Sequence, residues 1–371
     1  MSTAAAAATR PQTRAVACSR QWPGAIWAAL VGTFLIRAAG FAYPFLAYYL
    51  GGLRLSRALV GAILAAFGFG WLAGQILSGW LADRIGRRFT LVATMTTAAL
   101  TLPLLAQAHT AVSLLAATTL AGATYDAPRP VISALICDVI PDEATRAAVA
   151  GWRHFAVNAG AALTGAAGGF LTDLVGVRVL FWVNAVACAL FALAAARFVE
   201  AGRPAPLPAR ADVAGGEAWR DARLWLLCLA SLAGLTCAVG QFSSLPLLMA
   251  VRGLSATAYG WTQAVNAVVV IVLSPVITPW LSRRATATHP LLGALAAGSL
   301  VLGVGMGAAG LATTPVGFAA AVAVAVPGEL VIFIAAAEIV NRIASLRRRP
   351  AACTRASGAP RWAAPSSSRR C

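Results

Sequence analysis

Four ionisable residues sit midway through long apolar runs: Arg37 in 25–50, Asp126 and Arg129 in 112–137, and Glu329 in 315–340. A charge at the centre of a hydrocarbon layer costs about 2.5–3.5 kcal/mol on insertion scales. Four of them would cost about 10 kcal/mol, comparable to the ~5–15 kcal/mol that holds a domain together. They must therefore be paired or face water. Asp126 and Arg129 are three apart, which on a helix puts them on one face. Within Tyr125-Asp126-Ala127-Pro128-Arg129-Pro130 the two prolines free the carbonyls of Thr124 and Asp126, which lipid would not tolerate but a wet cavity would. Two readings fit these residues. One is a structural Asp126–Arg129 ion pair. The other is a proton relay, in which Asp126 or Glu329 takes a proton and loosens its hold on Arg129 or Arg37.

Such residues need helices that carry them to mid-depth. The chain is 60% hydrophobic and only 11% charged, against about 25% charged in soluble domains. About ten apolar runs can each cross a ~30 Å hydrocarbon layer, near 25–50, 58–80, 89–108, 112–137, 147–172, 177–198, 224–250, 257–281, 290–312 and 315–340. The expected fold is an all-α, polytopic transmembrane helical bundle with the lipid bilayer as its surroundings. Residues 1–22 read as an inner tail, 23–199 as a six-helix bundle and 200–222 as an inner linker rich in Pro, Ala, Gly and charge. Residues 223–343 supply four spans of a second bundle, and 344–371 form a low-complexity tail. Trp80-Leu81-Ala82-Asp83-Arg84 after the second run is echoed by Trp280-Leu281-Ser282-Arg283-Arg284 after the eighth. That echo supports a parallel repeat of six-span units.

The net charge of +17 raises the question of nucleic acid, but its distribution answers it. All 29 basic residues are Arg, and before the final tail fifteen fall in inner segments while the outer loops hold Arg54, Arg57, Arg178 and Arg252. By the positive-inside rule this is a topology signal that sets the N-terminus in the cytoplasm of a cell (inner) membrane protein. No nucleic-acid partner is implied. The first apolar run is too long for a removable secretion signal. Seven cysteines show no CxxC spacing and three histidines are scattered, so neither a metal nor a redox centre is expected. Gly305-Met306-Gly307-Ala308-Ala309-Gly310 satisfies GxGxxG, yet it lies inside an apolar run with no preceding strand, and close helix packing accounts for it. HExxH, GxSxG and Walker sequences are absent, which argues against an enzyme or an ATP-driven pump.

The turn Gly79-Trp80-Leu81-Ala82-Asp83-Arg84-Ile85-Gly86-Arg87-Arg88 sets charges between the second and third runs. It resembles the G-x-L-a-D-r-x-G-r-r loop joining spans 2 and 3 in the major facilitator superfamily, with every defined position present. The resemblance implies twelve spans in two bundles that rock about a central site. It also implies that Asp83 meets the N-terminal end of span 11, where a helix dipole stabilises a carboxylate by ~0.3–1 kcal/mol. Arg84, Arg87 and Arg88 would anchor the turn to anionic headgroups. On the alternative reading the turn is a topology anchor only. The chain offers no apolar run after Ser345, so spans 11 and 12 are expected to be missing, through a frameshift or early stop or because an ordinary inner tail follows. Asp83 would then lack its partner.

Span 5 resembles the G-x8-G-x3-G-P-x2-G-G signature of the family's antiporter branch. Gly151, Gly160, Gly168 and Gly169 match, and Thr164-Gly165 stands where Gly-Pro is usual. Small residues let helices approach closely, and generic Gly packing explains the same residues. Tyr125–Pro130 is similar to span 4 of multidrug-efflux members, although the family's usual span 4 Arg falls at Thr118. Gly328-Glu329 resembles a Gly-Glu pair in span 10 of relatives. The resemblance thus implies a drug:proton antiporter moving small amphipathic molecules, driven by the proton gradient with no cofactor. A metabolite uniporter or symporter, or an inactive truncated chain, are the alternatives. Tyr43, Asn158, Gln241 and Asn266 could line the substrate cavity or serve as interhelical hydrogen bonds. No obligate protein partner is evident from the sequence.

Overall fold

The computed structural model describes residues 22–201, 222–284 and 288–347. They form helices only. The linker and the two terminal tails of the sequence reading lie outside the described residues for most of their length. Among the described residues eight helices are long and apolar enough to cross a membrane. The sequence suggests about ten because two runs break midway into shorter pieces. Run 25–50 becomes α1 (Gly24–Ala38) and α2 (Leu46–Gly52). Pro44 lies just ahead of α2, where a missing N–H does no harm but a continuous helix could not pass. Run 112–137 becomes α5 (Ala111–Tyr125) and α6 (Pro128–Val139), with Pro128 opening α6 at its first position.

Uninterrupted spans flank these breaks: α3 (Arg57–Ile85), α4 (Arg87–Ala106), α7 (Glu143–Val175) and α8 (Val177–Phe198). In the second half α9 (Ala222–Val239) and α10 (Ser244–Val251) form another interrupted span. It is followed by α11 (Ala256–Arg284), α12 (Thr288–Leu311) and α13 (Pro315–Arg347). Helix starts are fixed by local caps. Ser56 accepts from Leu59 N–H, Thr110 and Ser113 form a capping box, and Asp142 accepts from Thr145 N–H. One residue, Gly86, both ends α3 and starts α4 at φ 95°, a backbone that L side chains rarely adopt.

The first core gathers Ile26, Leu46, Phe67, Leu91, Leu105, Phe181 and Phe191 from α1–α8. A second runs between the halves, with Phe41 and Phe45 against Leu245, Met249, Tyr259 and Phe318. A third, smaller one holds Leu281, Leu295, Leu302 and Ile332 together in the second half. Phe69, Leu72, Ile76 and Leu77 of α3 and Leu100 and Leu104 of α4 point outward. A contiguous apolar exterior of this kind is what a bilayer covers. Gly305 packs so closely on Ala325 that a Cβ would come within 2.6 Å, whereas Gly307 and Gly310 face open space, so close packing accounts for the first glycine of the GxGxxG stretch alone.

Candidate functional site

The two breaks in the first half bring distant charges together. Arg37 occupies the last turn of α1, and Asp126 caps the C-terminus of α5. At these helix ends their side chains meet: one Arg37 nitrogen donates to Asp126 Oδ1 and another to the Tyr125 hydroxyl at 3.0 Å. Arg129 Nε lies 2.8 Å from Asp126 Oδ2. Its N–H is aimed away, so this contact is Coulombic and Oδ2 accepts no hydrogen bond. Arg153 of α7 donates to Ser133 Oγ at 2.7 Å, and Ser133 donates in turn to the Arg129 carbonyl at 2.9 Å. Thus the position where the family usually carries its span 4 Arg is the buried Thr118, while Arg37 of span 1 brings a guanidinium to Asp126.

The loose backbone at these breaks is satisfied by protein, which corrects the expectation of a carbonyl open to water at Asp126. The Asp126 carbonyl accepts from Gln75 Nε2 of α3 at 3.1 Å, and the Arg37 carbonyl accepts from the Thr164 hydroxyl of α7. Gln75 can reach because Gly70 and Gly74 let α3 press against the backbone of α5, where a Cβ would come within 2.0 Å of carbonyl oxygens. Beside the ion pairs lies a cluster of rings. Tyr43 stacks on Phe67 at 4.8 Å and meets Tyr125 at 5.3 Å and Phe242 of the second half at 5.2 Å. Exposure rises from 5% at the Asp126 side chain to 15% at Arg37 and 52% at Arg129.

A second polar cluster sits in the other half. Glu329 Oε2 accepts from Gln241 Nε2 at 2.9 Å, and Gln241 Oε1 accepts from Asn266 Nδ2 at 2.5 Å. The Gln241 carbonyl, just past the end of α9, accepts from the Tyr259 hydroxyl at 3.1 Å and from Gln263 Nε2 at 3.2 Å. Among the described residues Glu329 has no ion pair. The pairing of Glu329 with Arg37 or Arg129 allowed by the sequence is not formed, because Asp126 holds both guanidiniums. Gln241 is fully buried and serves as the hub of an interhelical network in this conformation.

At the Gly86 end, Asp83 is not left alone. Arg87 pairs with Asp83 at 2.7 Å and with Asp138, at the end of α6, at 3.0 Å. The expected lack of a partner is thus overturned by a neighbour one helical turn away. Arg84 lies over the Trp80 ring at 4.3 Å, Arg88 is the second residue of α4, and Gly79 faces open space. Of the span 5 glycines, Gly165 and Gly169 press against Gly260 and Ala256 of α11, where any Cβ would come within 2.9 Å of backbone. Gly160 packs on Arg37, Gly168 on Phe41 and Phe45, and Gly151 faces open space. The α7–α11 seam therefore joins the halves through bare backbone.

Three further contacts across this seam carry no local signal in the sequence. At the Gly176 end, Asp173 accepts from Thr257 N–H at 3.0 Å and from its hydroxyl at 2.6 Å, so a first-half carboxylate caps a second-half helix. Nearby, the Tyr48 hydroxyl donates to the Ser255 carbonyl at 3.3 Å. Nearer the Gly86 end, His154 Nε2 lies 3.2 Å from Ser274 Oγ, and Asn158 Nδ2 lies 3.3 Å from the same nitrogen. Asn158 also donates to the His154 carbonyl, an i,i+4 contact that the spacing permits.

The family model described as Major Facilitator Superfamily matches residues 25–358. No curated protein matches the sequence. Among solved structures, the nucleoside transporter NupG (D323A mutant) superposes with a TM-score of 0.70 at 13% identity, covering 87% of this chain and 85% of that one. A bacterial homolog to human lysosomal transporter Spinster, in an inward-facing and unoccupied conformation, gives 0.67 at 19% identity, covering 88% and 76%. The peptide transporter POT in complex with sulfate gives 0.58 at 18% identity, covering 88% of both chains. These likenesses speak to the fold.

Proposed function

The chain belongs to the major facilitator superfamily, and from that premise we propose that it is a proton-coupled antiporter exporting small amphipathic molecules across the cell membrane, with its N-terminus in the cytoplasm. The observation that carries this reading is two membrane-embedded carboxyls, Asp126 buried at the break in span 4 and Glu329 on α13 held by Gln241 at the α9–α10 break. Discontinuous helices near mid-depth are where transporters of this kind bind substrate and coupling ion. A proton on Asp126 would release Arg37 and Arg129 together. Glu329, held only by amides, can change protonation state without parting from a cation. The α7–α11 seam, where Gly165 and Gly169 meet Gly260 backbone to backbone, is suited to act as the pivot about which the halves rock.

The test is dye efflux in proteoliposomes under an imposed pH gradient. Asp126→Asn and Glu329→Gln are each expected to remove gradient-driven accumulation while leaving exchange of bound dye. Full proton-coupled transport by both variants would sink the assignment. A second reading, facilitated transport of a metabolite, is favoured by one observation: the Thr164 hydroxyl caps the Arg37 carbonyl where the antiporter signature carries Gly-Pro. Counterflow of labelled substrate with no pH gradient, unaffected by Glu329→Gln, would support that reading instead.

A further inference from the structure

The first-half cluster carries more positive charge than its ion pairs need. Three guanidiniums, those of Arg37, Arg129 and Arg153, lie within electrostatic reach of one carboxylate, Asp126. Arg37 is committed to Asp126 and Tyr125. Arg129 makes only an off-axis approach to Asp126 and remains 52% exposed. Arg153 has no acidic partner among the described residues; it donates to Ser133, a neutral hydroxyl on α6. That bond turns Arg153 toward span 4 and away from the helix exterior, and it links Arg153 to the Arg129 backbone. The two arginines thus share one scaffold, Arg129–Ser133. Tyr125, which accepts from Arg37, belongs to a ring cluster with Tyr43, Phe67 and Phe242.

Guanidiniums bind carboxylate, sulfonate and phosphate oxygens through charge-assisted, often bidentate hydrogen bonds. Neither Arg129 nor Arg153 has its donors filled by a carboxylate in this arrangement, and an anion would complete them. We propose that Arg129 and Arg153 bind the anionic group of the transported molecule, and that the Tyr43–Phe67–Tyr125–Phe242 rings take its aromatic body. The substrate class is therefore an amphipathic organic anion. This rests on the transport reading only for the word transported; the binding site stands on the geometry alone.

The experiment is equilibrium dialysis of two probes of matched shape, 2-naphthalenesulfonate and (2-naphthyl)trimethylammonium, against the full chain in phosphatidylcholine nanodiscs. The sulfonate should bind at least about tenfold more tightly than the ammonium, the scale of one hydrogen bond to a charged group. Arg129→Gln and Arg153→Gln should each weaken the sulfonate about tenfold and leave the ammonium unchanged. Arg153→Lys, which keeps the charge, should recover most of that loss and so excludes misfolding as its cause. Equal binding of the two probes, or indifference of the sulfonate to both Gln variants, overturns the proposal. So does displacement of the sulfonate by adding phosphatidylglycerol, because the cluster would then be a headgroup site. Sulfonate binding without any transport in proteoliposomes would refute the transport reading and leave this site intact. Proton-coupled export of the ammonium with no sulfonate binding would do the reverse.

Discussion

Asp126 and Glu329 face the same physical problem in different halves of the molecule and solve it differently. Asp126 is held by two guanidiniums, from its own span and from span 1. Glu329 is held by an amide, Gln241, itself tied to Asn266. A guanidinium only donates, and its charge must be matched; a carboxamide donates and accepts and carries no charge. The first half is therefore locked by charge and comes apart if its carboxyl is neutralised. The second half tolerates either protonation state of its carboxyl with little rearrangement. Division of labour follows: one cluster responds structurally to a proton, and the other can carry one.

The largest effect expected from this contrast is on stability. Arg37→Ala strips Asp126 of its hydrogen-bonded partner and leaves a buried charge facing only the off-axis Arg129. Breaking a buried pair from one side costs about 3–5 kcal/mol, read as a loss in thermal unfolding of the purified protein. Adding Asp126→Asn in the same chain should restore part of it. If the second substitution instead deepens the loss, Asp126 is not compensated by charge and the contrast fails.

Gln241→Leu tests the other half. It removes the Glu329 and Asn266 hydrogen bonds while keeping the Gln241 carbonyl for Tyr259 and Gln263. The expected cost is about 1–3 kcal/mol, that of unsatisfied buried polar groups. A cost equal to that of Arg37→Ala would mean that both halves are locked alike.

How much of this was legible in the residues follows from which interactions are local. The spans, the hinge and the mid-depth charges are readable because hydropathy, Gly86 and Pro128 act over a few residues. That Asp126 and Arg129, three apart, can pair is readable for the same reason, although they flank the break between α5 and α6 and do not share one helix face. That Arg37 joins them is not, because it depends on two helix breaks and a tight α3–α5 crossing at Gly70 and Gly74. The Asp83–Arg87 pair is readable as an i,i+4 contact, whereas the resemblance implies a partner in another span. Asp173 shows the limit: its partner, Thr257, lies 84 residues on and nothing near either one announces the contact.

Asp173 also offers the next smaller effect, because the two clusters can move relative to each other only if contacts across the seam at the Gly176 end break. Asp173→Ala removes a carboxylate from a helix N-terminus, costing about 1 kcal/mol. It should raise thiol labelling of a Tyr48→Cys reporter beside Ser255 by a few-fold, since about 1 kcal/mol shifts a two-state balance by that much. Unchanged labelling would place the moving contact elsewhere on the seam.

The smallest stability effect should accompany the sharpest functional one. Glu329→Gln replaces a carboxyl by an amide of the same shape, and Gln241 can keep its hydrogen bond, since its Nε2 donates equally well to an amide oxygen. No cation is orphaned, because Glu329 has none among the described residues. The expected change in stability is below about 1 kcal/mol, within the range of volume-conserving changes that keep a buried group satisfied. Asp126→Asn, equally conservative in shape, frees Arg37 and Arg129 and should cost clearly more. If Glu329 carries the proton, its variant must be well folded and uncoupled, transporting downhill with no response to a pH gradient. A Glu329→Gln protein that is stable and still fully coupled would leave Asp126 as the sole candidate. The amide-held cluster would then be a structural brace for the interrupted α9–α10 span and nothing more.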